Sequence, residues 1–167
     1  MKGILYILIF LLIISCINEK TKDIQNIDLK LSLLRTYDSI YHDSIKRKTY
    51  DIILSIKNKS AKPISFCIMT CSWDENFIIN NDYTYFCPWR READYPTRKH
   101  LDPNKNIEYK ATIYQDSFSM YHDVETTKIG FIFIDSAICK KRTDFLNILG
   151  DKSKHDKIIW SNSLHLK

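Results

Sequence analysis

Residues 27–33 of the chain read IDLKLSL, and every second residue of this stretch is apolar. An apolar period of two predicts a β-strand with one face in the core and one face in water. Residues 50–56, YDIILSI, repeat the pattern and end at the turn sequence KNKS at 57–60. These two stretches indicate that the chain begins its folded part with antiparallel strands.

Further strands are predicted along the rest of the chain. They cover residues 64–68, the aromatic stretches 77–79 and 83–87, residues 107–113, 129–134 and 158–166. Residues 129–134 are apolar on both parities apart from Gly130, which is typical of a central strand covered on both sides. Only residues 143–149 have a helical pattern. About seven β-branched and aromatic strands between turn signals favour an all-β fold, an immunoglobulin-like antiparallel β-sandwich. An eight-stranded jelly roll or a small barrel would give a similar pattern.

The first sixteen residues, MKGILYILIFLLIISC, have a different character. The apolar run is far shorter than the ~20 residues that a membrane-spanning helix needs. It fits the charged and apolar regions of a secretory signal peptide. Ile13-Ile14-Ser15-Cys16 resembles the lipobox of bacterial lipoproteins, which implies cleavage before Cys16 and a diacylglycerol thioether on its sulfur. The alternative is an ordinary secretion signal followed by an unrelated cysteine.

The lipobox divides the chain into three parts. Residues 1–15 form the signal peptide, residues 16–26 the lipidated cysteine and a polar tether, and residues 27–167 a single β-sandwich domain. The resemblance implies a location in the bacterial cell envelope, with the membrane as a partner through the N-terminal lipid. The residue after Cys16 is Ile17 rather than Asp, which favours the outer membrane.

The composition excludes several functional classes. The chain carries 25 Lys and Arg against 20 Asp and Glu, a net charge of +5 without long blocks of like charge. This mild excess does not indicate nucleic-acid binding. Three glycines argue against Gly-rich phosphate loops, and no Gly-x-Ser-x-Gly nucleophile motif occurs. The sequence therefore favours a non-catalytic protein, and we expect no cofactor.

Four cysteines remain besides Cys16, an even number in a compartment where disulfides persist. Cys67 and Cys71 would lie ~13 Å apart on an extended strand, too far to bridge each other. We predict first a Cys71–Cys87 disulfide, and with it a Cys67–Cys139 disulfide between distant parts of the chain. Unbridged structural thiols are the alternative for the second pair.

Two matching tripeptides suggest a metal site. Tyr41-His42-Asp43 and Tyr121-His122-Asp123 both fall in predicted connections, which an up-and-down arrangement would bring to the same pole. Imidazole nitrogen and carboxylate oxygen suit Zn²⁺ or another divalent ion. The alternative is that these are ordinary solvated loop residues that match by chance.

Residues 83–100, YTYFCPWRREADYPTRKH, combine aromatic and basic side chains in a predicted connection. Aromatic residues and Arg dominate binding hot spots, and loops on a rigid scaffold commonly carry function. The alternative is a long crossover whose aromatics complete the core. The predicted contact surface comprises Trp89, Arg90, Arg91, Tyr95 and Arg98.

Three functional hypotheses follow from these patterns. The first is a lipid-anchored, non-catalytic binding or structural module of the envelope, with an envelope protein or a glycan as its partner. The second is a metal-binding protein or metal-dependent enzyme that uses His42, Asp43, His122 and Asp123. The third is an immunity or inhibitor protein directed against a toxin or protease, a role that some small immunoglobulin-like modules have.

Overall fold

The computed structural model describes residues 25–40, 45–87, 94–116, 126–140, 142–150 and 157–166. In chain order the strands are β1 (Ile27–Ile40), β2 (Lys46–Asn58), β3 (Ile64–Met69), β4 (Phe77–Ile79), β5 (Thr84–Phe86), β6 (Pro96–Leu101), β7 (Asn106–Gln115), β8 (Thr126–Thr127), β9 (Ile129–Ile132), β10 (Ile158–Trp160) and β11 (Leu164–His165). Short 3-10 helices lie at Trp73–Asn76 and Ser136–Lys140, and an α-helix, α1, at Arg142–Gly150. The predicted all-β class and the predicted helix at 143–149 are confirmed.

The first sheet has the strand order β1-β2-β7-β5, and all its neighbours are antiparallel. Ile52 of β2 lies opposite Leu33 in β1 and Ala111 in β7. The alternation of β2 is confirmed, because every second residue from Tyr50 to Ile56 is fully buried while Asp51, Ile53 and Ser55 between them are only half-buried. Fully burying one such side chain contributes about 1.5–3 kcal/mol.

The second layer consists of β3–β6, β4–β9–β10 and β8–β11. The Cys67 amide donates a hydrogen bond of 2.8 Å to the Ile134 carbonyl, and Phe66 bridges Asp135, so β3 adjoins the continuation of β9. All four residues of β9 are buried, as expected for a central strand. This arrangement is an immunoglobulin-like sandwich. In the immunoglobulin naming β1, β2, β3 and β7 correspond to strands A, B, C and E. The split strands β8/β9 and β10/β11 correspond to F and G.

The strand count differs from the predicted value of about seven. Two long strands are each split, β8 from β9 at Lys128 and β10 from β11 at residues 161–163. The predicted aromatic strands at 77–79 and 83–87 are present as β4 in the second layer and β5 in the first. Strand β6 is an addition, because it lies almost entirely in the stretch 83–100, which was predicted to be a connection. In addition β1 continues to Ile40, seven residues beyond the end predicted from its alternation. The extension lacks an apolar period, and none of the strands described in the second layer covers it.

Aromatic side chains from both layers meet in the main core. The Phe131 ring lies 5.3 Å from that of Phe66 and 5.2 Å from that of Phe77, measured between centroids. Trp73 and Tyr109 continue the cluster, with centroids 4.9 Å apart. Burial raises the pKa of Tyr109 to about 12, because the charged phenolate would lie among these apolar rings.

A second, smaller core lies between β3, β9 and α1. Its buried residues include Ile132, Phe145 and Leu149, and the Cys67–Cys139 disulfide joins it to the 3-10 helix before α1. The two Cα atoms lie 5.6 Å apart across 72 residues of sequence. A bridge closing a loop of that size stabilises the fold by about 4 kcal/mol in the chain-entropy description.

The other predicted bridge is wrong: Cys71 and Cys87 do not form a disulfide in the structure. The backbone amide of Cys71 is bound to Asp94 at the end of β3, in the second layer. The amide of Cys87 donates to the Thr112 carbonyl in the first sheet. The chain between them is not a simple hairpin, because β4 intervenes and pairs with β9, so a short sequence separation does not bring the two sulfurs together.

Candidate functional site: the distal hairpin

Two residues of the predicted contact surface, Tyr95 and Arg98, lie in the described part of the chain. Tyr95 precedes β6 and is 59% exposed, and its amide donates to the Thr70 hydroxyl at 3.2 Å. Arg98 is exposed on β6 and contacts the Ser136 carbonyl at 3.4 Å. The other three members, Trp89, Arg90 and Arg91, lie outside the described residues, so the surface as a whole stays a prediction.

Asp94, next to Tyr95, anchors this region to the end of β3. Its carboxylate accepts hydrogen bonds from the Thr70 hydroxyl, the Cys71 amide and both the amide and the hydroxyl of Ser72. Burial alone would raise the pKa of Asp94, but these donors outweigh it and hold the pKa below its usual value. The sequence analysis did not identify this contact, because a lone Asp in a connection gives no signal of its distant partners.

The predicted metal ligands His42, Asp43, His122 and Asp123 all lie outside the described residues. Within the described ranges no group of three or more His, Cys, Asp or Glu side chains is arranged to hold a metal ion. In the same ranges no helix is long and apolar enough to cross a bilayer.

A different surface is formed by residues 33–40 of β1, by Ile45 and by residues 46–51 of β2, and we call it the distal hairpin. A one-residue β-bulge at Leu34 begins it, because Leu33 pairs with Ile52 whereas Arg35 pairs with Asp51. A bulge of one residue reverses which side chains face outward. Arg35 and Tyr37 thereby join the outer face of the first sheet, opposite the core.

The outer face carries two rows of side chains across the first sheet. Registers place Tyr37 opposite Thr49, Thr49 opposite Tyr114, and Tyr114 opposite Tyr85, one residue from each of the four strands. The Tyr85 and Tyr114 rings stack with centroids 5.5 Å apart, and the Arg47 guanidinium lies 5.4 Å from the Tyr114 centroid. This row presents aromatic surface to solvent, because Tyr37 and Tyr85 are both exposed.

The neighbouring row contains Arg35, Asp51 and Thr112. The Asp51 carboxylate accepts hydrogen bonds from the Arg35 guanidinium, from Tyr37 at 3.3 Å and from Thr112 at 2.7 Å. Burial would raise the pKa of Asp51, but the Thr112 and Arg35 hydrogen bonds and the Arg35 charge outweigh it and lower the pKa. A carboxylate held ionised by three donors suits recognition and rigidity rather than proton transfer.

Apolar side chains of the distal hairpin are exposed along its edge. Leu34 is 54% and Ile40 76% exposed, and Leu33 and Ile45 are exposed as well. Leu33 and Leu34 lie at the start of the hairpin, and Ile40 and Ile45 lie at its far end, ~20 Å away along β1, so the exposed aliphatic side chains form two small groups. The arrangement can stack, hydrogen-bond and bury apolar area against a partner.

The sequence analysis missed the distal hairpin. The sequence did contain one signal. Thr49 and Asp51 alternate with the apolar residues of β2, and Thr112 and Tyr114 alternate with those of β7, so each pair lies on the face opposite the apolar one. What it lacked was the order of the strands and the bulge at Leu34, which bring Arg35 and Tyr37 beside those residues.

Comparisons with known proteins give little further information. No protein-family model matches the chain, and no curated protein matches it. A crystal structure of a FixG-related protein from Vibrio parahaemolyticus is 12% identical, with a TM-score of 0.37, over 85% of this chain and 97% of that one. A likeness at this level carries no conclusion about fold or function.

Proposed function

We propose that the chain is a lipid-anchored, non-catalytic binding module of the bacterial envelope, which contacts a protein partner through the distal hairpin. The observation that carries the anchor is the lipobox Ile13-Ile14-Ser15-Cys16 after a short apolar run. The sulfur of Cys16 bears the acyl chains, and residues 17–26 connect it to β1. Ile17, rather than Asp, after the lipidated cysteine favours the outer membrane.

The geometry of β1 supports a binding surface that faces away from the bilayer. The tether enters the fold at Ile27, and β1 then runs for 14 residues to Ile40. At ~3.3 Å per residue the strand is about 45 Å long. The distal hairpin therefore lies at the opposite end of the first sheet from the tether, where a partner can reach it.

The side chains of the distal hairpin favour a protein as the partner. Exposed aliphatic residues such as Leu34 and Ile40 gain from contact with other apolar side chains. Arg35 and Tyr37, beside them on the outer face, are residue types enriched at the centres of protein interfaces. A glycan would use the Tyr85–Tyr114 pair but would leave the aliphatic edge in water.

Metabolic labelling tests the anchor. Cells that express the full chain and take up a clickable fatty acid should mark the protein, and Cys16→Ser should abolish the label and release the protein from membranes. Cys71→Ser is the matched control, because it removes an exposed thiol and leaves the lipobox intact. An unlabelled wild-type chain, or a Cys16→Ser chain that fractionates identically, would refute the proposal. Density-gradient separation of the two membranes tests the outer-membrane location.

A further inference from the structure

We propose that Ser65 is an activated nucleophile, which takes the acyl group of a carboxylic ester with His100 as its general base and Asp102 as the positioning residue. The inference goes beyond the proposed function, because these residues lie on or next to β3 and β6 in the second layer and not in the distal hairpin. The product is an acylated chain, so the reaction adds a modification site to the binding module.

Strands β3 and β6 bring the serine and the histidine together. Ser65 lies directly opposite His100 in the antiparallel pair, and its Oγ atom lies 3.0 Å from His100 Nδ1. Ile64 and Phe66 on either side of Ser65 are buried in the main core, so the Ser65 side chain points to the solvent side of the second layer. There the hydroxyl and the imidazole lie within the distance over which a base takes a proton from a nucleophile.

The carboxylate of Asp102 lies at the other ring nitrogen. His100 Nε2 is 3.3 Å from Asp102 Oδ1. This contact favours the tautomer that carries its hydrogen on Nε2, and the lone pair of Nδ1 is then available to the Ser65 hydroxyl. Nucleophile, base and orienting carboxylate thus follow one another in the order that activates a serine.

The position of Asp102 is fixed by its neighbours in the chain. Asn58 Nδ2 donates to the Leu101 carbonyl at 3.0 Å, and the Asn104 amide donates to the Asn58 carbonyl at 2.9 Å. Because Asn58 is fully buried, it ties the chain on both sides of Asp102 to the core. A carboxylate held in this way can keep the imidazole oriented.

Arg98 supplies positive charge beside the hydroxyl. It lies two positions before the histidine in β6, on the same side of the strand, and its Nη2 atom donates to the Ser136 carbonyl at 3.4 Å. The preceding residue, Asp135, pairs with Phe66 on the edge of β3 opposite to β6. The Arg98 side chain therefore crosses β3 next to Ser65. A guanidinium in this position stabilises the negative charge that develops on the ester oxygen during attack.

The reaction forms one bond and breaks one. Ser65 Oγ attacks the carbonyl carbon of the ester while its proton moves to His100 Nδ1. Collapse of the tetrahedral adduct releases the alcohol part of the ester, which takes that proton, and the acyl group remains on Ser65. A reagent can reach the site, because the side chains of His100 and Asp102 are 59% and 64% exposed.

The test treats the purified full chain in detergent micelles with p-nitrophenyl acetate and locates acetyl groups by peptide mass spectrometry. Acetylation of Ser65 should be about 100-fold faster than that of Ser55, because general-base catalysis contributes a factor of at least this order. Ser55 is a matched internal control. It is half-buried like Ser65, but its hydroxyl accepts a hydrogen bond from the Asn106 side-chain amide at 3.1 Å.

Substitutions of exposed residues separate the roles, and each variant is first checked for wild-type thermal unfolding. His100→Gln keeps a polar side chain but removes the base, and it should slow Ser65 acetylation about 100-fold. Asp102→Asn should slow it about tenfold and Asp102→Glu should restore it, because a carboxylate orients the ring. Arg98→Gln should also slow it about tenfold. Lys110→Gln, which removes a positive charge from the first sheet, should leave it unchanged.

Two results would overturn the inference. One is acetylation of Ser65 that is no faster than that of Ser55. The other is equal reaction of the wild type and His100→Gln, which would leave the contact between Ser65 and His100 as a cross-strand hydrogen bond only.

The inference and the proposed function can fail separately. A chain that takes the fatty-acid label at Cys16 but has an unreactive Ser65 would retain the lipid anchor and lose the nucleophile. Ser65-dependent release of p-nitrophenolate beyond one equivalent per chain would support the nucleophile and refute the non-catalytic part of the proposed function.

Discussion

The β1–β2 hairpin has two antiparallel halves, one on each side of the bulge at Leu34, and the two halves have opposite environments. In the proximal half, Leu29 and Leu31 are buried against the second layer, and Ile56 and Leu54 opposite them are fully buried, as is Ile52 next along β2. In the distal hairpin the strands still pair, but Leu34 and Ile40 are exposed. Antiparallel pairing therefore continues through both halves, and the covering layer together with the bulge at Leu34 determines which side chains are core and which are surface.

The largest expected effect contrasts one aliphatic residue from each half. Ile52→Ala should lower the free energy of unfolding by about 2–5 kcal/mol, since Ile52 is fully buried and its removal leaves a cavity. Ile40→Ala should change it by less than about 0.5 kcal/mol, because Ile40 is 76% exposed. Urea denaturation of both variants measures the contrast. Similar losses for the two would mean that the distal hairpin is covered in solution.

The next prediction concerns the layer that covers the proximal half. A Cβ atom on Gly130 in β9 would lie 2.5 Å from the Ile158 Cγ2 atom and 3.1 Å from atoms of Ile78 and Trp160. Gly130→Ala should therefore destabilise the fold by about 1–3 kcal/mol through overpacking. Gly150→Ala in α1 is the matched control, since no atom of the described residues lies within 4 Å of its Cβ position, and it should be neutral or stabilising in thermal denaturation.

A smaller effect is expected at the boundary between the two halves. Asn162→Ala removes both hydrogen bonds to the Leu31 backbone, and we expect a loss of about 1–2 kcal/mol in unfolding free energy. The Leu31 amide should also exchange its hydrogen faster, which mass spectrometry after deuterium labelling detects. Unchanged exchange at Leu31 would contradict the hydrogen bond from the Leu31 amide to Asn162. Ser163→Ala, at the adjacent position, serves as the control.

The smallest effect is the pH dependence of the distal hairpin. The pKa of Asp51 is lowered in the folded state, so its contribution to stability is fully present above the unfolded pKa of about 3.9 and is lost as the pH falls through the folded value. Comparison of the wild type with Asp51→Asn should show a difference of at most about 1 kcal/mol at pH 7. The difference should shrink below about pH 4. A constant difference across this range would show that Asp51 stabilises the hairpin without its charge.

Much of the fold was predictable from local patterns. The period of two located β1, β2, β3 and β7, and the double-sided apolar run located β9. Of the two predicted bridges, Cys67–Cys139 is present and Cys71–Cys87 is absent. The reason is that bridging depends on which sheet each strand joins, and β3 and β5 join different sheets.

The candidate site was less predictable than the fold. Aromatic and basic composition drew attention to residues 83–100, of which only Tyr95 and Arg98 belong to both the predicted contact surface and the described chain. The cluster of Arg35, Tyr37 and Asp51 is built from separate strands. It can be recognised only when the pairing of β1, β2 and β7 is known.

By itself the sequence determined where strands form and which of their faces is apolar, because the pleat converts a period of two into two faces at every strand. It also contains the contiguous segment Ile13-Ile14-Ser15-Cys16, from which the lipid anchor is predicted. Only the tertiary structure decided that the second layer ends short of residue 33, that Leu34 is inserted as a bulge, and that Tyr37, Thr49, Tyr114 and Tyr85 form one row. These features depend on contacts between residues far apart in the chain, which no local pattern encodes.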